Sequence, residues 1–402
     1  MVAASMRAGT AADAIDGVVP RQVAEPADGQ ELAATLLAAA RATHATVLRG
    51  GGTKLGWGRP PAAIDLVVST SRLTSVFVHR HGDLTATAHA GLTLAQVNRE
   101  LAKHGQWLPI DSAFDEATIG GIIATNDSGP VRHRFGTPRD LLIGVTLALA
   151  DGRVVKAGGH VVKNVAGYDL GKLASGSFGT LGAIVDATFK LLPIPQASAT
   201  IDASYDDGEA LARDVMQVSA SQLEPMAFEM WLEGSRYRLR LLFASSPAAV
   251  SAQVESAQRM LSRPSSVLTG DSEFALWKDH VRLPWAGTGA VIRFGWLPAR
   301  LAEVISMIQD VQRIGGPVVM AGRVGVGAGV MRVEGDVRSQ AAVVERLRSS
   351  VLVGNVVVLR AAPELKQQVD VWGPPGSAAG AVLAIRRMFD PAGILNAGRG
   401  PV

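Results

Sequence analysis

The sequence contains no cysteine among its 402 residues. Disulfides, thiolate metal ligands, iron–sulfur ligation by this chain and cysteinyl-linked cofactors are therefore excluded. No apolar run approaches the ~20 residues that a membrane-spanning helix requires. The first 16 residues also lack the apolar core of a signal peptide. We expect a cytoplasmic chain with a disordered segment at residues 1–16, any membrane association being through partners.

An excess of charge of one sign is also missing. Lys and Arg number 39 and Asp and Glu 36, a formal net charge of +3, and the basic residues are spread along the chain. Nucleic-acid binding therefore has no support. With 48% hydrophobic residues the chain can bury substantial cores, and its length suggests two or three domains.

Glycine, by contrast, is abundant. Arg49–Gly58 contains five glycines and follows the apolar run Thr46–Leu48, so it is typical of a loop that leaves a buried strand. Successive glycines allow backbone N–H groups to point into one concavity that suits a phosphate. Arg49 and Lys54 add charge and Thr53 a hydroxyl. The spacing fits neither G-x-G-x-x-G nor G-x-x-x-x-G-K-[ST], and taken alone the loop could equally be a surface turn.

Two further stretches are rich in glycine and hydroxyl residues, Ala117–Gly129 and Gly176–Ile184. Their small residues let the backbone approach a flat or crowded ligand, and their Thr, Asn and Ser side chains offer neutral hydrogen bonds. The alternative interpretation is a tightly packed helix start beside a turn. His79 and His81, two residues apart on a predicted strand, invite a metal-site hypothesis, but without further ligands we interpret them as surface histidines.

The pattern changes after Pro193 and Pro195, which we take as a domain boundary. Residues 196–360 alternate strands and helices in an order that predicts one α+β domain with an antiparallel sheet.

Together these stretches resemble the flavin-binding proteins of the vanillyl-alcohol oxidase (VAO) and p-cresol methylhydroxylase (PCMH) type. The R-G-G-G-T loop, A-T-I-G-G-I-I-A-T-N and G-S-F-G-T-L-G are the three recurring elements of that fold and occur here in order. Val162–Leu170 and Phe389–Arg399 resemble the E subunits of bacterial glycolate oxidases. The resemblance implies an α+β protein with a two-part, PCMH-type FAD-binding domain at 17–195, a cap or substrate domain at 196–360 and a C-terminal segment, 361–402, returning to the FAD domain.

The resemblance also implies where FAD binds, on Gly50–Lys54 for the pyrophosphate and on the two later stretches for the ribityl chain, ring and adenosine. Relatives with covalent flavin often carry a histidine where this chain has Thr53, so we expect non-covalent FAD and no metal. The expected cofactor-binding residues are Arg49, Gly50, Gly51, Gly52, Thr53, Lys54, Gly56, Pro109, Thr118, Gly120, Gly121, Thr125, Asn126, Gly129, Gly176, Ser177, Gly179, Gly182 and Ile184.

The resemblance implies an FAD-dependent oxidoreductase, a subunit of a glycolate or 2-hydroxy acid oxidase. Hydride would pass from the substrate α-carbon to flavin and electrons to an iron–sulfur subunit, with a second flavin subunit as a further partner. A self-sufficient dehydrogenase of the D-lactate type is one alternative. It needs a cation for the substrate carboxylate and an acid or base, for which Lys163, Tyr168, Arg293 and Arg323 are candidates. A non-catalytic FAD-binding relay or stabilising subunit is the other.

Overall fold

The computed structural model describes residues 4–160 and 169–400. The chain divides into two compact units. The first unit comprises Met1–Ser128, Gly136–Ile194 and Pro374–Val402, and the second comprises Gly129–Phe135 and Pro195–Gly373. The expected domain limits at residues 195 and 360 lie at or near these divisions and stay a prediction.

The regular elements alternate throughout the described ranges. The helices are α1 Gly29–Arg41, α2 Leu94–Ala102, α3 Ile119–Thr125, α4 Arg132–Phe135, α5 Pro138–Leu141, α6 Leu170–Ala174, α7 Gly208–Ser219, α8 Pro247–Met260, α9 Gly270–Arg282, α10 Leu301–Gly315, α11 Val337–Arg348, α12 Pro363–Gln368 and α13 Ala379–Phe389. The strands are β1 Ser5–Ala8, β2 Gln22–Glu25, β3 Thr46–Arg49, β4 Leu66–Ser69, β5 Phe77–Arg80, β6 Thr85–His89, β7 Gln106–Trp107, β8 Leu142–Ala148, β9 Val154–Gly158, β10 Ala183–Lys190, β11 Leu192–Pro193, β12 Ala197–Tyr205, β13 Ala227–Glu233, β14 Arg236–Ser245, β15 Ser265–Leu268, β16 Ala290–Trp296, β17 Val318–Arg323, β18 Ala328–Val333 and β19 Val353–Arg360.

Residues 4–16, the described part of the N-terminal segment, contain regular structure where disorder was expected. Strand β1 pairs antiparallel with β2, and a short 3-10 turn at Ala11–Asp13 follows. The Asp13 carboxylate is buried and accepts two hydrogen bonds of 2.7 Å from Arg7. All four residues of β1 are exposed, so the strand has no apolar alternation that a sequence pattern could reveal.

The first unit begins with a β-α-β arrangement. Strands β2 and β3 both pair in parallel with β4, and α1 connects β2 to β3. Asp28 caps α1, its carboxylate accepting the N–H groups of Gln30 and Glu31 at 2.8 and 2.9 Å. Leu32 and Leu36 on α1 are fully buried in a core that includes Val68 of β4. Burial of this apolar face stabilises the helix on the sheet.

A second, five-stranded antiparallel sheet in the first unit has the order β5-β6-β10-β8-β9. Two of its strand pairs, β5–β6 and β8–β9, are hairpins. Gly152 in the second turn has φ +86°, a backbone conformation that glycine adopts at little cost. The short strands β7 and β11 form a separate pair.

The second unit is built on one eight-stranded antiparallel sheet, β15-β12-β14-β13-β17-β18-β16-β19. On β13, the alternate residues Phe228, Met230 and Leu232 join a buried core. The same core contains Leu211 of α7 and Ile308 of α10. The antiparallel sheet predicted for residues 196–360 is therefore confirmed.

Helix α9 is an element that the sequence pattern did not predict. It contacts the sheet through polar side chains rather than an apolar stripe. The Glu273 carboxylate accepts a hydrogen bond from Ser198 and one of 2.6 Å from Thr200. The Trp277 indole donates to Thr200 Oγ1 at 2.8 Å, and Phe274 is 70% exposed. Because Thr200 neighbours the core residue Ile201 on β12 and a strand alternates faces, α9 lies on the sheet face opposite the apolar core.

Candidate functional site

A cleft in the first unit encloses about 910 Å³, including space open to solvent. Small-molecule pockets commonly measure about 300 to 1,000 Å³. Four segments form it: the loop after β3, helix α3, the loop before β10 and the segment 396–400. Its lining residues are Leu48, Arg49, Gly50, Gly51, Gly52, Thr53, Lys54, Leu55, Trp57, Thr70, Ala90, Thr118, Gly120, Gly121, Ala124, Thr125, Phe178, Gly179, Gly182, Ala183, Ile184, Asn396, Arg399 and Gly400.

Residues 50–54, the glycine loop, lie tightly against the chain that enters α3. A Cβ atom added to Gly50 would stand 2.2 Å from Thr118 Oγ1, and one added to Gly51 would stand 1.9 Å from the Glu116 carbonyl oxygen. No side chain fits at such distances. Glycine is required at these two positions because the Thr118 side chain and the Glu116 backbone approach closely, not because of the turn alone.

The glycine loop leaves its backbone donors available. Within the described ranges, none of the five N–H groups from Gly50 to Lys54 donates a hydrogen bond to the protein. The loop instead closes after them, through Leu55 N–H to the Gly52 carbonyl at 3.4 Å and Trp57 N–H to the Lys54 carbonyl at 3.0 Å. Five consecutive unsatisfied amides in a cleft are suited to a multivalent oxygen acceptor such as a phosphate.

The cations beside this loop are already paired with carboxylates. Arg49 Nη1 lies 2.8 Å from Asp13 Oδ1, and Lys54 Nζ lies 2.7 Å from Asp127 Oδ2. Hydrogen bonds from Arg7 and then Arg49 hold the pKa of the Asp13 carboxyl well below its usual range. Lys54 Nζ also lies 5.7 Å from the Trp57 ring centroid. The expected full charges at Arg49 and Lys54 are therefore largely neutralised, and the amides are the principal donors.

Helix α3 contributes a surface of small residues rather than open donors. Thr118 caps it, accepting from Gly121 N–H at 3.4 Å. Gly120 N–H donates to the Ala90 carbonyl at 2.9 Å, and a Cβ at Gly120 would lie 2.9 Å from Ala90 Cβ. The helix start is thus packed tightly, as the alternative interpretation of this stretch supposed, and it also lines the cleft.

The loop before β10 is held by α3 and by the segment 396–400. Phe178 N–H donates to the Ala124 carbonyl at 2.8 Å, and the Asn396 side-chain amide donates to the Phe178 carbonyl. Gly179 has φ +69° and faces Asn396 Nδ2. The left-handed backbone at Gly179 lets this loop turn beneath Asn396.

The segment 396–400 contributes cleft residues that are not among the expected cofactor-binding residues. Asn396 N–H donates to the Thr46 carbonyl at 2.8 Å, extending β3. The Arg399 guanidinium is buried and donates to the carbonyls of Leu55, Trp57 at 3.0 Å and Arg59 at 3.2 Å. Arg399 therefore ties down the chain that follows the glycine loop.

The structure brings together thirteen of the nineteen expected cofactor residues in this lining. Asn126, with φ +47°, ends α3, and Gly129 belongs to the second unit. The role of all nineteen stays a prediction. The six that are not among the lining residues are Gly56, Pro109, Asn126, Gly129, Gly176 and Ser177.

The four candidate catalytic residues do not meet in the cleft lining. Lys163 and Tyr168 lie outside the described residues. Arg293 is on β16 and Arg323 ends β17, both in the second unit. In the described ranges no cluster of His, Asp and Glu could hold a metal ion. No described helix has the length and apolarity to cross a membrane. His79 Nε2 instead bonds Gln106 Oε1 at 2.8 Å, and the His81 ring stacks on His104.

Comparison with known proteins agrees with the chemistry of the cleft. Residues 20–158 match the family model of the FAD binding domain. The chain is 34% identical over 207 residues to D-lactate dehydrogenase of Archaeoglobus fulgidus, covering 52% of this chain and 46% of that protein. It is 34% identical over 182 residues to glycolate oxidase subunit GlcE of Escherichia coli, covering 45% and 50%. The chain spans about half the length of the curated relatives it matches.

A solved structure of alkyldihydroxyacetonephosphate synthase superposes with a TM-score of 0.72 and 14% sequence identity, covering 94% of this chain and 77% of that one. At this identity the likeness concerns the fold. The matched domain holds the glycine loop and α3, the two segments whose backbone geometry fits a pyrophosphate and a flat ring. The chain therefore carries an FAD-binding domain and has the fold of the VAO and PCMH type of flavoprotein.

Proposed function

We propose that this chain is the FAD-binding subunit of a glycolate or related 2-hydroxy acid oxidase. The observation that carries the proposal is the row of five unsatisfied amides at Gly50–Lys54 inside a domain that matches the FAD-binding family. Relatives named as D-lactate dehydrogenase and as glycolate oxidase subunits support the substrate class.

The residues of the cleft fit the cofactor in a definite way. The amides of the glycine loop hold the pyrophosphate, and Gly120, Gly121 and Thr125 offer a surface that a planar ring can approach. Bound FAD supplies a two-electron acceptor for oxidation of the alcohol carbon to a carbonyl. The described lining contains no histidine or cysteine, which supports non-covalent binding. Release of the flavin into solution on acid precipitation tests this, and flavin retained in the pellet would refute it.

The partners proposed are a second flavin subunit and an iron–sulfur subunit that carries electrons onward. The relatives named as subunits of glycolate oxidase favour such a complex. Because the chain has no cysteine, cluster ligation by thiolates falls to another chain.

A self-sufficient dehydrogenase is the second candidate. The relative named D-lactate dehydrogenase, 34% identical over 52% of this chain, favours it. The two candidates differ in whether this chain alone oxidises a substrate.

The deciding experiment is the anaerobic absorbance spectrum of the purified chain before and after addition of glycolate or D-lactate. A flavin band that bleaches with substrate makes the chain a dehydrogenase by itself. A band that is unchanged alone but bleaches once the partner subunits are added supports the subunit proposal. A band that bleaches in neither setting refutes the dehydrogenase function, and absence of flavin after purification with FAD refutes the site.

A further inference from the structure

The N-terminal segment of the first unit contains a buried carboxylate that does not itself line the cleft. Asp13 ends the 3-10 turn Ala11–Asp13 and is 4% exposed. Its Oδ1 atom accepts hydrogen bonds from Arg7 Nη2 at 2.7 Å and from Arg49 Nη1 at 2.8 Å, and its Oδ2 atom accepts one from Arg7 Nη1 at 2.7 Å. Thr10 donates its N–H at 3.0 Å and its hydroxyl at 2.9 Å to Oδ2. These hydrogen bonds hold the carboxylate in one orientation.

Arg49 connects this carboxylate to the glycine loop. Strand β3 ends at Arg49, and the glycine loop begins at the next residue. The Arg49 carbonyl accepts the Thr70 N–H at 2.8 Å, while the Arg49 guanidinium is bound by Asp13. The backbone and the side chain of Arg49 are therefore held by two different segments. Since Gly50 carries the first of the five open amides, the position of Arg49 determines where the row of amides begins.

The same N-terminal segment also takes part in fixing the far end of the glycine loop. Ile15 is 2% exposed and belongs to a buried cluster with Val47 of β3, against which Leu55 packs. The Leu55 N–H closes the loop on the Gly52 carbonyl at 3.4 Å. Residues 13–15 therefore hold the residue before the loop by an ion pair and share an apolar cluster with the residue after it.

The two arginines bound to Asp13 differ in exposure and hence in what their ion pairs contribute. The side chain of Arg7 is 45% exposed and that of Arg49 is 17% exposed. Exposed ion pairs contribute little because water and salt screen them, whereas breaking a buried pair leaves a charge without compensation. Hydrogen bonds from Arg7 and then from Arg49 keep the pKa of Asp13 well below its usual range, so the carboxylate is charged at neutral pH. Loss of that charge should therefore disturb Arg49 more than Arg7.

We propose that Asp13 is a positioning residue of the cofactor site and that it acts through Arg49 to align the amides of the glycine loop with the pyrophosphate of FAD. The inference rests on the proposed function in taking FAD as the ligand of the cleft and Gly50–Lys54 as its pyrophosphate site. Arg49 acts in it as an anchor rather than as a charge. Because an aligned loop binds a diphosphate better than a displaced one, a bound diphosphate must in turn stabilise the arrangement of residues 13–15.

The test is the affinity of the whole chain, freed of cofactor, for FAD and for ADP, which carries a diphosphate but no flavin ring. Asp13→Asn keeps the shape of the side chain and removes its charge. We expect the Kd of FAD and the Kd of ADP, measured by calorimetric titration, to rise by the same factor of about tenfold or more, as the loss of a charge-assisted hydrogen bond implies. A role in stability alone would lower the resistance to unfolding but leave both Kd values of the folded chain unchanged.

Three further variants locate the effect. In an Arg49→Met background, Asp13→Asn should weaken ADP binding no further, because the proposed action passes through Arg49. Arg7→Met removes the exposed arginine and should keep the Kd of ADP within about threefold of wild type. Asp151→Asn is the matched control, since Asp151 pairs with Arg153 at 2.7 Å in the exposed turn between β8 and β9, and it should bind ADP as wild type does. Unchanged ADP affinity in Asp13→Asn, an equal loss in Asp151→Asn or Arg7→Met, or a full further loss in the Arg49→Met background overturns the proposal, as does a wild-type chain that does not bind ADP.

Hydrogen exchange in the wild-type chain decides the question even if Asp13→Asn does not fold. The N–H groups of residues 13–15 donate to the carbonyls of Thr10, Ala11 and Val18 at 2.9, 3.2 and 3.0 Å. Saturation with ADP should slow their exchange, and unchanged exchange overturns the proposal. These outcomes are separable from the proposed oxidation. If ADP affinity depends on Asp13 while no substrate bleaches the flavin, the positioning role stands and the oxidation fails. If substrate bleaches the flavin while Asp13→Asn binds ADP as wild type does, only the positioning role fails.

Discussion

The polar groups buried in the two units differ in how they respond to pH. In the cleft of the first unit the open donors are the amides of Gly50–Lys54, and the nearby cations are neutralised by Asp13 and Asp127. In the second unit the polar groups are side chains, with Glu229 buried and one of its oxygens unsatisfied. Backbone amides do not titrate near neutral pH. The Glu229 carboxyl does, because burial raises its pKa to about 7. The donors of the cleft therefore keep the same charge state across neutral pH, whereas the charge of Glu229 changes there.

The largest expected effect is a loss of FAD affinity when the glycine loop is displaced. In Gly51→Val the new Cβ would meet the Glu116 carbonyl at 1.9 Å, so the glycine loop must move and its amides lose their alignment. We expect FAD affinity to fall about 1,000-fold, equal to about 4 kcal/mol, as measured by fluorescence titration of the apoprotein. Gly82→Ala is the control, since a Cβ there meets nothing within 4 Å. Equal FAD affinity in Gly51→Val and wild type would show that the loop is not the phosphate site.

The pH dependence of the free energy of unfolding tests whether Glu229 titrates near neutral pH. The pKa of Glu229 is about 7 in the folded chain, against 4.5 for an unperturbed glutamate. The folded state holds this proton more tightly, so stability is lost as pH rises from 4.5 through 7. Glu229→Gln cannot ionise and should gain about 3 kcal/mol relative to wild type between pH 4.5 and pH 8.

Urea unfolding gives the free energy of unfolding of wild type and Glu229→Gln at each pH. The difference between the two curves is the predicted quantity. His280 contacts residue 229 directly and its protonation opposes folding only below pH 6.5, so the part of the curves above pH 6.5 reports on Glu229 itself. Glu273→Gln serves as the control and should follow the wild-type slope. Parallel curves for Glu229→Gln and wild type would mean that Glu229 does not titrate in this range.

A substitution in the segment 396–400 should have an intermediate effect on FAD affinity. Arg399→Met removes the donor to three backbone carbonyls, those of Leu55, Trp57 and Arg59, while keeping a long side chain. We expect FAD affinity to fall about tenfold, because each buried acceptor left unpaired costs ~1–3 kcal/mol and loosens the chain beside the glycine loop. Arg387→Met, in an exposed part of α13, should bind FAD as wild type does. An unchanged affinity in Arg399→Met would separate this segment from the cofactor site.

The smallest effect concerns Lys54. Because its ammonium is paired with Asp127 at 2.7 Å, the double variant Lys54→Met/Asp127→Asn should bind FAD within about threefold of wild type. Methionine keeps the contact with the Trp57 ring. The single variant Lys54→Met leaves Asp127 uncompensated and should be the weaker binder of the two. A loss of 30-fold or more in the double variant would instead show that Lys54 bonds the phosphate itself.

Local patterns predicted most of the elements and the core of the candidate site. The glycine loop follows a β-branched strand, and Thr118 precedes a short apolar helix, so both could be recognised from neighbouring residues. The antiparallel sheet of the second unit was predicted from the alternating order of strands and helices in residues 196–360. Helix α9 was missed because the residues it turns inward, Glu273, Trp277 and His280, are polar or only partly apolar while Phe274 faces solvent.

The features that the sequence could not reveal are ion pairs and hydrogen bonds between residues far apart in the chain. Arg49 and Lys54 carry full charges in any local interpretation, but Asp13 lies 36 residues from Arg49 and Asp127 belongs to another segment. The cleft role of Asn396 and Arg399 depends on hydrogen bonds to Phe178 and Leu55, which are 218 and 344 residues away. No periodicity encodes such pairs, because they are set by tertiary packing.

The hydrogen bond from Arg399 to Trp57 spans 342 residues of chain. This separation sets the time between the synthesis of the two residues. At translation rates of about 5–20 residues per second, the glycine loop leaves the ribosome roughly 20 to 70 seconds before the arginine that ties it down. The whole of 195–373 is made in that interval. The second unit therefore has its complete sequence first, and the cofactor cleft is finished only when residues 396–400 arrive. We therefore expect a nascent chain to retain the cofactor only after residues 396–400 have been translated.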